Sequence, residues 1–219
     1  MNIPFSMCAQ FDLKVLACDL KSKYGITLPE DFIFNKRVTP HSQAPVITSS
    51  GLKMMKFSLL PSWSKESKVK FATHNARIET LDEKATWKIP FKKFHCLVPL
   101  TQFIEPIYVR EHAGSMVSFS EKNQQLLTAA GLYDSWVNKI TGEIIESFTI
   151  ITTEPPPFVA EVGHDRCPVF LKNSAFQEWL QPTNTEAQYL KQFLLGNQEA
   201  VEFTVKKDRD MRPGWEKRK

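Results

Sequence analysis

Cys8 stands directly behind Met7, and cleavage between the two would leave a free 1,2-aminothiol. An N-terminal cysteine carries two nucleophiles on adjacent carbons. Its α-amine condenses with an aldehyde, and its thiol then closes a five-membered ring on the imine. An internal cysteine cannot do this, because its nitrogen is held in a peptide bond. With an α-amine pKa of about 7.7–8.0 and a thiol pKa of about 8.5, usable fractions of both nucleophiles exist near neutrality. The bland alternative is a small buried hydrophobe, the usual fate of a free cysteine.

Two further residues have acid–base character out of keeping with their surroundings. Glu105 lies in the β-like apolar run Phe103-Ile104-Glu105-Pro106-Ile107. A carboxyl in such a setting has a raised pKa and can deliver or take a proton, whereas an edge-strand glutamate would simply face solvent. His164 lies in the loop Gly163-His-Asp-Arg-Cys-Pro168, where an imidazole can shuttle protons or serve only as a cap.

The elements that must position these residues are read from periodicity and turn signals. Leu13, Leu16, Ala17, Leu20 and Tyr24 fit one helical face from Asp12 to Tyr24, with Gly25 at the stop. Pro45–Leu60 reads as two strands around Ser49-Ser50-Gly51. Thr80-Leu-Asp-Glu83 has the form of a capping box and predicts a short helix. Strands are predicted at Cys96–Leu100, Phe103–Val109, Met116–Phe119, Leu126–Ala130, Ser147–Thr152 and Val201–Val205. Helices are predicted at Asn173–Leu180 and at Thr185–Leu195, the latter stopped by Gly196. Strands outnumber helices without regular alternation, so the expected class is α+β, a single domain with a curled, mixed or antiparallel sheet and peripheral helices.

Composition sets the outer bounds. A chain of 219 residues with 42% hydrophobic content can bury one substantial core. The segment Lys206–Lys219 holds seven basic and three acidic residues, and the rest balances at 21 against 21, so the whole +4 excess sits at the C-terminal end. That end reads either as a polyanion contact or as a solvated terminus. The expected division is a leader over 1–7, a domain over 8–205 and a basic tail over 206–219. Cys8, Cys18, Cys96 and Cys167 show no CxxC pair or zinc spacing, so free thiols in a reducing cytoplasm are expected, with no metal and no cofactor. No stretch resembles a signal peptide or membrane span, and a monomer without membrane contact is expected.

Five patches in order resemble the SOS-response-associated peptidase (SRAP) family. Met7-Cys8-Ala9-Gln10-Phe11 is similar to that family's Met-Cys-Gly-Arg-Phe. Phe57-Ser-Leu-Leu-Pro-Ser-Trp63 is similar to Trp-Gly-Leu-Ile-Pro-Ser-Trp, and Asn75-Ala-Arg-Ile-Glu-Thr80 to Asn-Ala-Arg-x-Glu-Thr. Cys96-Leu-Val-Pro-Leu-Thr-Gln-Phe-Ile-Glu105 resembles Arg-Cys-Leu-Val-Pro followed by Gly-Phe-Tyr-Glu-Trp. Phe148-Thr-Ile-Ile-Thr-Thr153 and His164-Asp-Arg-Cys-Pro-Val169 resemble a Thr-x-x-Thr strand and His-x-Arg-Met-Pro-Val.

The resemblance implies a sensor that binds single-stranded DNA and links its N-terminal cysteine covalently to abasic sites in the DNA-damage response. On that reading Cys8 is the nucleophile, forming a thiazolidine on the open-chain sugar aldehyde. Glu105 protonates the ring oxygen O4′ and assists dehydration, and His164 shuttles protons. Asn75 orients the amine or a sugar hydroxyl. Arg77 suits a phosphate oxygen, with an Arg77–Glu79 salt bridge as its rival; Arg166 either binds phosphate or braces the His164 loop. Trp63, beside Lys65, Lys68 and Lys70, offers a surface for bases, and Phe57 is either a second such surface or core. Three departures stand out: Ala9-Gln10 lacks the family's arginine, Pro106 replaces tryptophan, and six residues precede Met7, so Cys8 becomes terminal only through a longer cleavage or a start at Met7. A non-covalent DNA-binding module and a thiol peptidase built on Cys8 and His164 remain as alternatives.

Overall fold

The computed structural model describes residues 10–218, with side chains through Lys217. Strand β1 (Gln10–Leu16) opens the described chain, and helix α1 (Ala17–Tyr24) follows it without a break. The helix expected from Asp12 is therefore corrected: Phe11, Leu13 and Val15 alternate with polar residues, and all three are buried. Both periods are present over these residues, and pairing with two neighbouring strands selects the period of two. Gly25 ends α1 as expected, at φ 69° with its N–H on the Lys21 carbonyl at 2.9 Å.

Strands β2 (Ile33–Val38), β3 (Gln43–Thr48), β4 (Gly51–Phe57) and β5 (Asn75–Arg77) come next, and β3–β4 is the hairpin expected around Ser49-Ser50. After a 3-10 turn at Ile78–Thr80, helix α2 (Ala85–Lys93) begins later than the capping-box pattern predicts. The Thr80 carbonyl accepts from the N–H groups of Glu83 and Lys84, closing a turn there, and Lys84 becomes the N-cap. Strands β6 (His95–Leu100), β7 (Gln102–Ile107), β8 (Ser115–Glu121), β9 (Leu127–Val137) and β10 (Ile144–Thr153) match the five predicted runs, with β8, β9 and β10 longer and β7 stopping short of Val109. Then follow α3 (Pro157–Val162), β11 (Cys167–Pro168), α4 (Phe176–Leu180), α5 (Ala187–Gly196) and β12 (Phe203–Asp210). β12 runs into the segment expected as a tail, because Lys206 and Lys207 pair with Ser118 and Val117 of β8.

The strands form two sheets. The first has the order β12-β8-β7-β1-β2 and is antiparallel throughout. It curls, and its outer strands meet through side chains: Arg37 of β2 grips Asp208 of β12 at 2.7 and 2.9 Å while holding Asp12 of β1. In the second sheet β10-β4-β3-β6-β9 closes on itself, since β9 pairs back to β10, and β5 and β11 add to β10. Gly131 of β9 permits this closure, because a Cβ there would lie 2.8 Å from the Thr149 carbonyl oxygen and 2.9 Å from Cys96 Sγ. The architecture is α+β and strand-rich, as expected.

One apolar cluster joins the two sheets through Phe11, Leu13, Phe57, Phe103, Phe119 and Phe148. A second packs α2, α4 and α5 against the barrel strands through Trp87, Phe91, Trp179, Leu190 and Leu194. His95 ties that second layer together. Its ring stacks on Trp179 at 4.0 Å, and its nitrogens sit 2.8 and 2.7 Å from the carbonyl oxygens of Trp179 and Phe91.

Burial pushes the His95 pKa down, and the two carbonyls offset this only in part. The folded state therefore holds His95 neutral at pH values where the unfolded chain takes up a proton, so its contribution to stability is present above the ordinary histidine pKa of about 6.5 and is lost as pH falls below it. Urea midpoints between pH 7.5 and 5 are expected to fall less steeply in His95→Gln than in the parent chain. Ser58 gives a second expectation. It is buried at φ 87°, with its N–H on the Phe148 carbonyl at 3.0 Å, where the similar family motif has glycine. Ser58→Gly relieves that conformation and is expected to raise stability by about 0.5–1 kcal/mol in urea denaturation.

Candidate functional site

Glu105 lies on β7 between Phe103 and Ile107, opposite Val117 of β8, and is wholly buried. Strand alternation points it with Phe103 and Ile107 toward the core between the sheets. A carboxyl in that wall needs a partner. His164 supplies one, its Nε2 standing 3.3 Å from Glu105 Oε2 with the ring 4% exposed.

The approach of His164 depends on its neighbours. α3 ends at Gly163, φ 110°, and a Cβ at that position would lie 3.1 Å from Val109 and 3.3 Å from Ile107. A glycine there lets the α3 end press on the hairpin that carries Glu105. Arg110 Nη1, in the turn of that hairpin, donates to the Glu161 carbonyl at 3.2 Å and fastens the same contact. The second ring nitrogen of His164 rests on the backbone of Arg166, 2.9 Å from its carbonyl oxygen and 3.3 Å from its N–H. With a proton on Nδ1 the carbonyl accepts it; without one, Nδ1 accepts from the amide. The Arg166 backbone thus suits either state of Nδ1 and fixes the ring with Nε2 toward Glu105.

Arg166 is itself anchored. Its guanidinium forks onto Glu79, both contacts at 2.9 Å, and donates to the Thr152 carbonyl at 2.7 Å. Burial acts to raise the Glu79 carboxyl, but the Arg166 hydrogen bonds, its own backbone N–H and the charges of Arg166 and Arg77 outweigh it and hold the pKa low. The carboxylate that rivalled phosphate as the partner of Arg77 thus pairs with Arg166. The physical reason is local: the extended β5 gives way to a 3-10 turn at Ile78, so Glu79 leaves the face shared by Asn75 and Arg77. On β5, buried Asn75 lies opposite Ile150 and half-buried Arg77 opposite Thr152 of β10.

The remaining expected residues divide sharply. Cys8, with Met7 and Ala9, lies outside the described residues. Gln10 pairs with Ile104, the neighbour of Glu105, so β1 enters the first sheet beside the acid. Trp63 is 52% exposed, its Nε1 on the Ala85 carbonyl at 3.2 Å, in a loop where Lys65, Lys68 and Lys70 are also exposed. Phe57 is corrected from a candidate DNA contact to a core residue: it has no exposed surface, meets Phe11 edge-on at 5.3 Å and stacks on Phe148 at 5.2 Å.

Two residues were not singled out from the sequence. Phe71 is exposed in the same loop as Trp63, and its position between Lys70 and Ala72 in a polar stretch was the available signal. Cys167 is buried near Glu105, where burial pushes its thiol pKa up and the Glu105 carboxylate adds to the shift. Its signal was the replacement of methionine in the similar His-x-Arg-Met-Pro motif. Cys96 is likewise held as a thiol by burial. Among the described residues no group of three His, Cys, Asp or Glu is arranged to hold a metal ion, and no helix is long and apolar enough to cross a membrane.

The chain has relatives in sequence and in fold. It is 32% identical over 195 residues to the abasic site processing protein YoqW of Bacillus subtilis (strain 168), covering 86% of each chain. It is 32% identical over 180 residues to the abasic site processing protein HMCES of Xenopus tropicalis, covering 67% of this chain but only 53% of that longer protein. A crystal structure of a protein from Bacteroides thetaiotaomicron superposes with a TM-score of 0.73 at 24% identity, covering 96% of this chain and 94% of the other. The SOS response associated peptidase (SRAP) model matches residues 7–208, and the chain belongs to that family.

Proposed function

We propose that this protein processes abasic sites in single-stranded DNA by forming a thiazolidine cross-link through Cys8, once the residues before it are removed. The observation that carries the proposal is the buried Glu105–His164 pair at 3.3 Å, on the strand that receives β1 at Gln10. Cys8 is two residues from Gln10, and two residues span at most about 7 Å. An aminothiol there is within chain reach of a proton-transfer pair. The names of the relatives, abasic site processing proteins from bacteria and vertebrates, support the same substrate.

The chemistry asks for proton movements that the pair can make. The abasic sugar opens when a proton reaches O4′, and Glu105, shielded from water, is the donor. The Cys8 amine adds to C1′, and loss of water gives the imine. The Cys8 sulfur then bonds to C1′ while the thiol proton passes to nitrogen, closing the ring without any oxidant or reductant. The proton that the C1′ hydroxyl loses on opening passes through His164 back to the Glu105 carboxylate, restoring the acid. Asn75 orients the amine or a sugar hydroxyl, Arg77 meets a phosphate oxygen, and Trp63 stacks under a base. Arg166, with its fork occupied by Glu79 and Thr152, fits the bracing role better than a direct phosphate contact.

Incubation with single-stranded DNA bearing one abasic site, followed by a denaturing gel, tests the reading. Protein whose intact mass places Cys8 at the N-terminus is expected to give a shifted band, and Cys8→Ala is expected to give none. A band that persists in Cys8→Ala moves the chemistry elsewhere. Glu105→Gln keeps the side-chain shape without the titrating proton and is expected to slow adduct formation about 100-fold, with the pH dependence between 6 and 8 flattened. An unchanged rate across that range removes Glu105 from the mechanism.

A further inference from the structure

We infer that the C-terminal segment beyond the family match is a docking strip for the phosphate backbone of single-stranded DNA, lying alongside the candidate site. The inference rests on the DNA substrate proposed above and adds a binding surface to it. The family match ends at residue 208. From Met211 onward the chain carries Arg212, Lys217, Arg218 and Lys219 against the single acid Glu216.

The segment is seated on the site's own framework. Met211 donates its N–H to the Gly114 carbonyl at 2.8 Å, which carries β12 past the β7–β8 hairpin. Trp215 then lies on Gly114, where a Cβ would meet its Cζ2 at 2.9 Å, with its ring 6.4 Å from that of Tyr108. Gly114 in turn donates to the Ile107 carbonyl at 2.9 Å, two residues along β7 from Glu105. The same hairpin holds Gly163, the neighbour of His164. Arg212 and Lys217 are exposed, so the anchor is apolar and the charge faces outward.

A second tie comes from β12 itself. Arg209 Nη2 donates to Gln10 Oε1 at 2.8 Å, and its side chain is 42% exposed. Gln10 occupies the place where the similar family motif carries arginine. A cation is thus returned to the start of β1 by the C-terminal strand. Its companions on that side are Arg37, Asp12 and Asp208, which pair with one another and with Arg209. Lys207 is paired with Asp210. Lys206 is exposed beside them, and the rest of the excess lies beyond Asp210, where Trp215 seats the chain between exposed Arg212 and Lys217; a polyanion is the partner that fits it.

The test compares the full chain with Arg212→Gln/Lys217→Gln/Arg218→Gln/Lys219→Gln by fluorescence anisotropy on an undamaged labelled single strand over a salt series. The variant is expected to bind about tenfold more weakly at moderate salt, with the log–log salt slope reduced by about 2–3. Lys92→Gln/Lys93→Gln on α2 is the control and is expected to match the parent. An affinity within twofold of the parent and an unchanged slope overturn the inference, as does an equal loss in the control. Absence of adduct in the parent chain defeats the cross-linking reading alone, because the undamaged strand still decides the docking strip.

Discussion

A carboxyl group and an imidazole meet at 3.3 Å inside an apolar wall, and much of the surrounding structure serves to keep them there. Burying Glu105 without a partner would cost several kcal/mol, and the contact with His164 compensates only while its geometry holds. That geometry is supported from outside. Gly163 lets the α3 end press against β7, the Arg166 backbone sets the imidazole ring, and Glu79 and Thr152 anchor the Arg166 side chain. Lys191 of α5 extends the chain of supports, reaching the Glu79 carbonyl at 3.0 Å and the Asp82 carboxylate.

The two sheets divide the labour. The curled first sheet contributes Glu105 and receives the start of β1 beside it. β10, in the closed second sheet, has β5 along one side and β11 antiparallel to it, so Asn75 and Arg77 line the strand from which Arg166 takes a backbone contact. The exposed loop with Trp63 and Phe71 leads into β5.

Much of this was legible before folding was considered. The strand runs from Cys96 to Thr152 follow from β-branched and aromatic residues between turn signals, and Glu105 was conspicuous as an acid in an apolar strand. The helix expected from Asp12 failed over its first residues because Leu13 belongs both to the helical face and to the alternating set Phe11, Leu13 and Val15, and only the pairing of β1 with β2 and β7 chooses between them. The capping-box pattern at Thr80 failed because a tight turn used the same backbone groups first. Phe57 shows a different limit: an aromatic in a motif can face a ligand or the core, and its neighbours Phe11 and Phe148, far apart in sequence, decide.

Cys8 behind Met7, the Asn75-Ala-Arg motif, Glu105 in its apolar run and the His164 loop were determined by the sequence itself, because residue type and local spacing carry chemical character. The tertiary structure decided which of these groups meet. Glu105 faces His164 across 59 residues, Arg166 chooses Glu79 over solvent, and Gln10 takes Arg209 where an arginine of its own is missing. Such contacts depend on strand register, sheet curl and the close approach allowed by Gly163, none of which has a local signature in the chain.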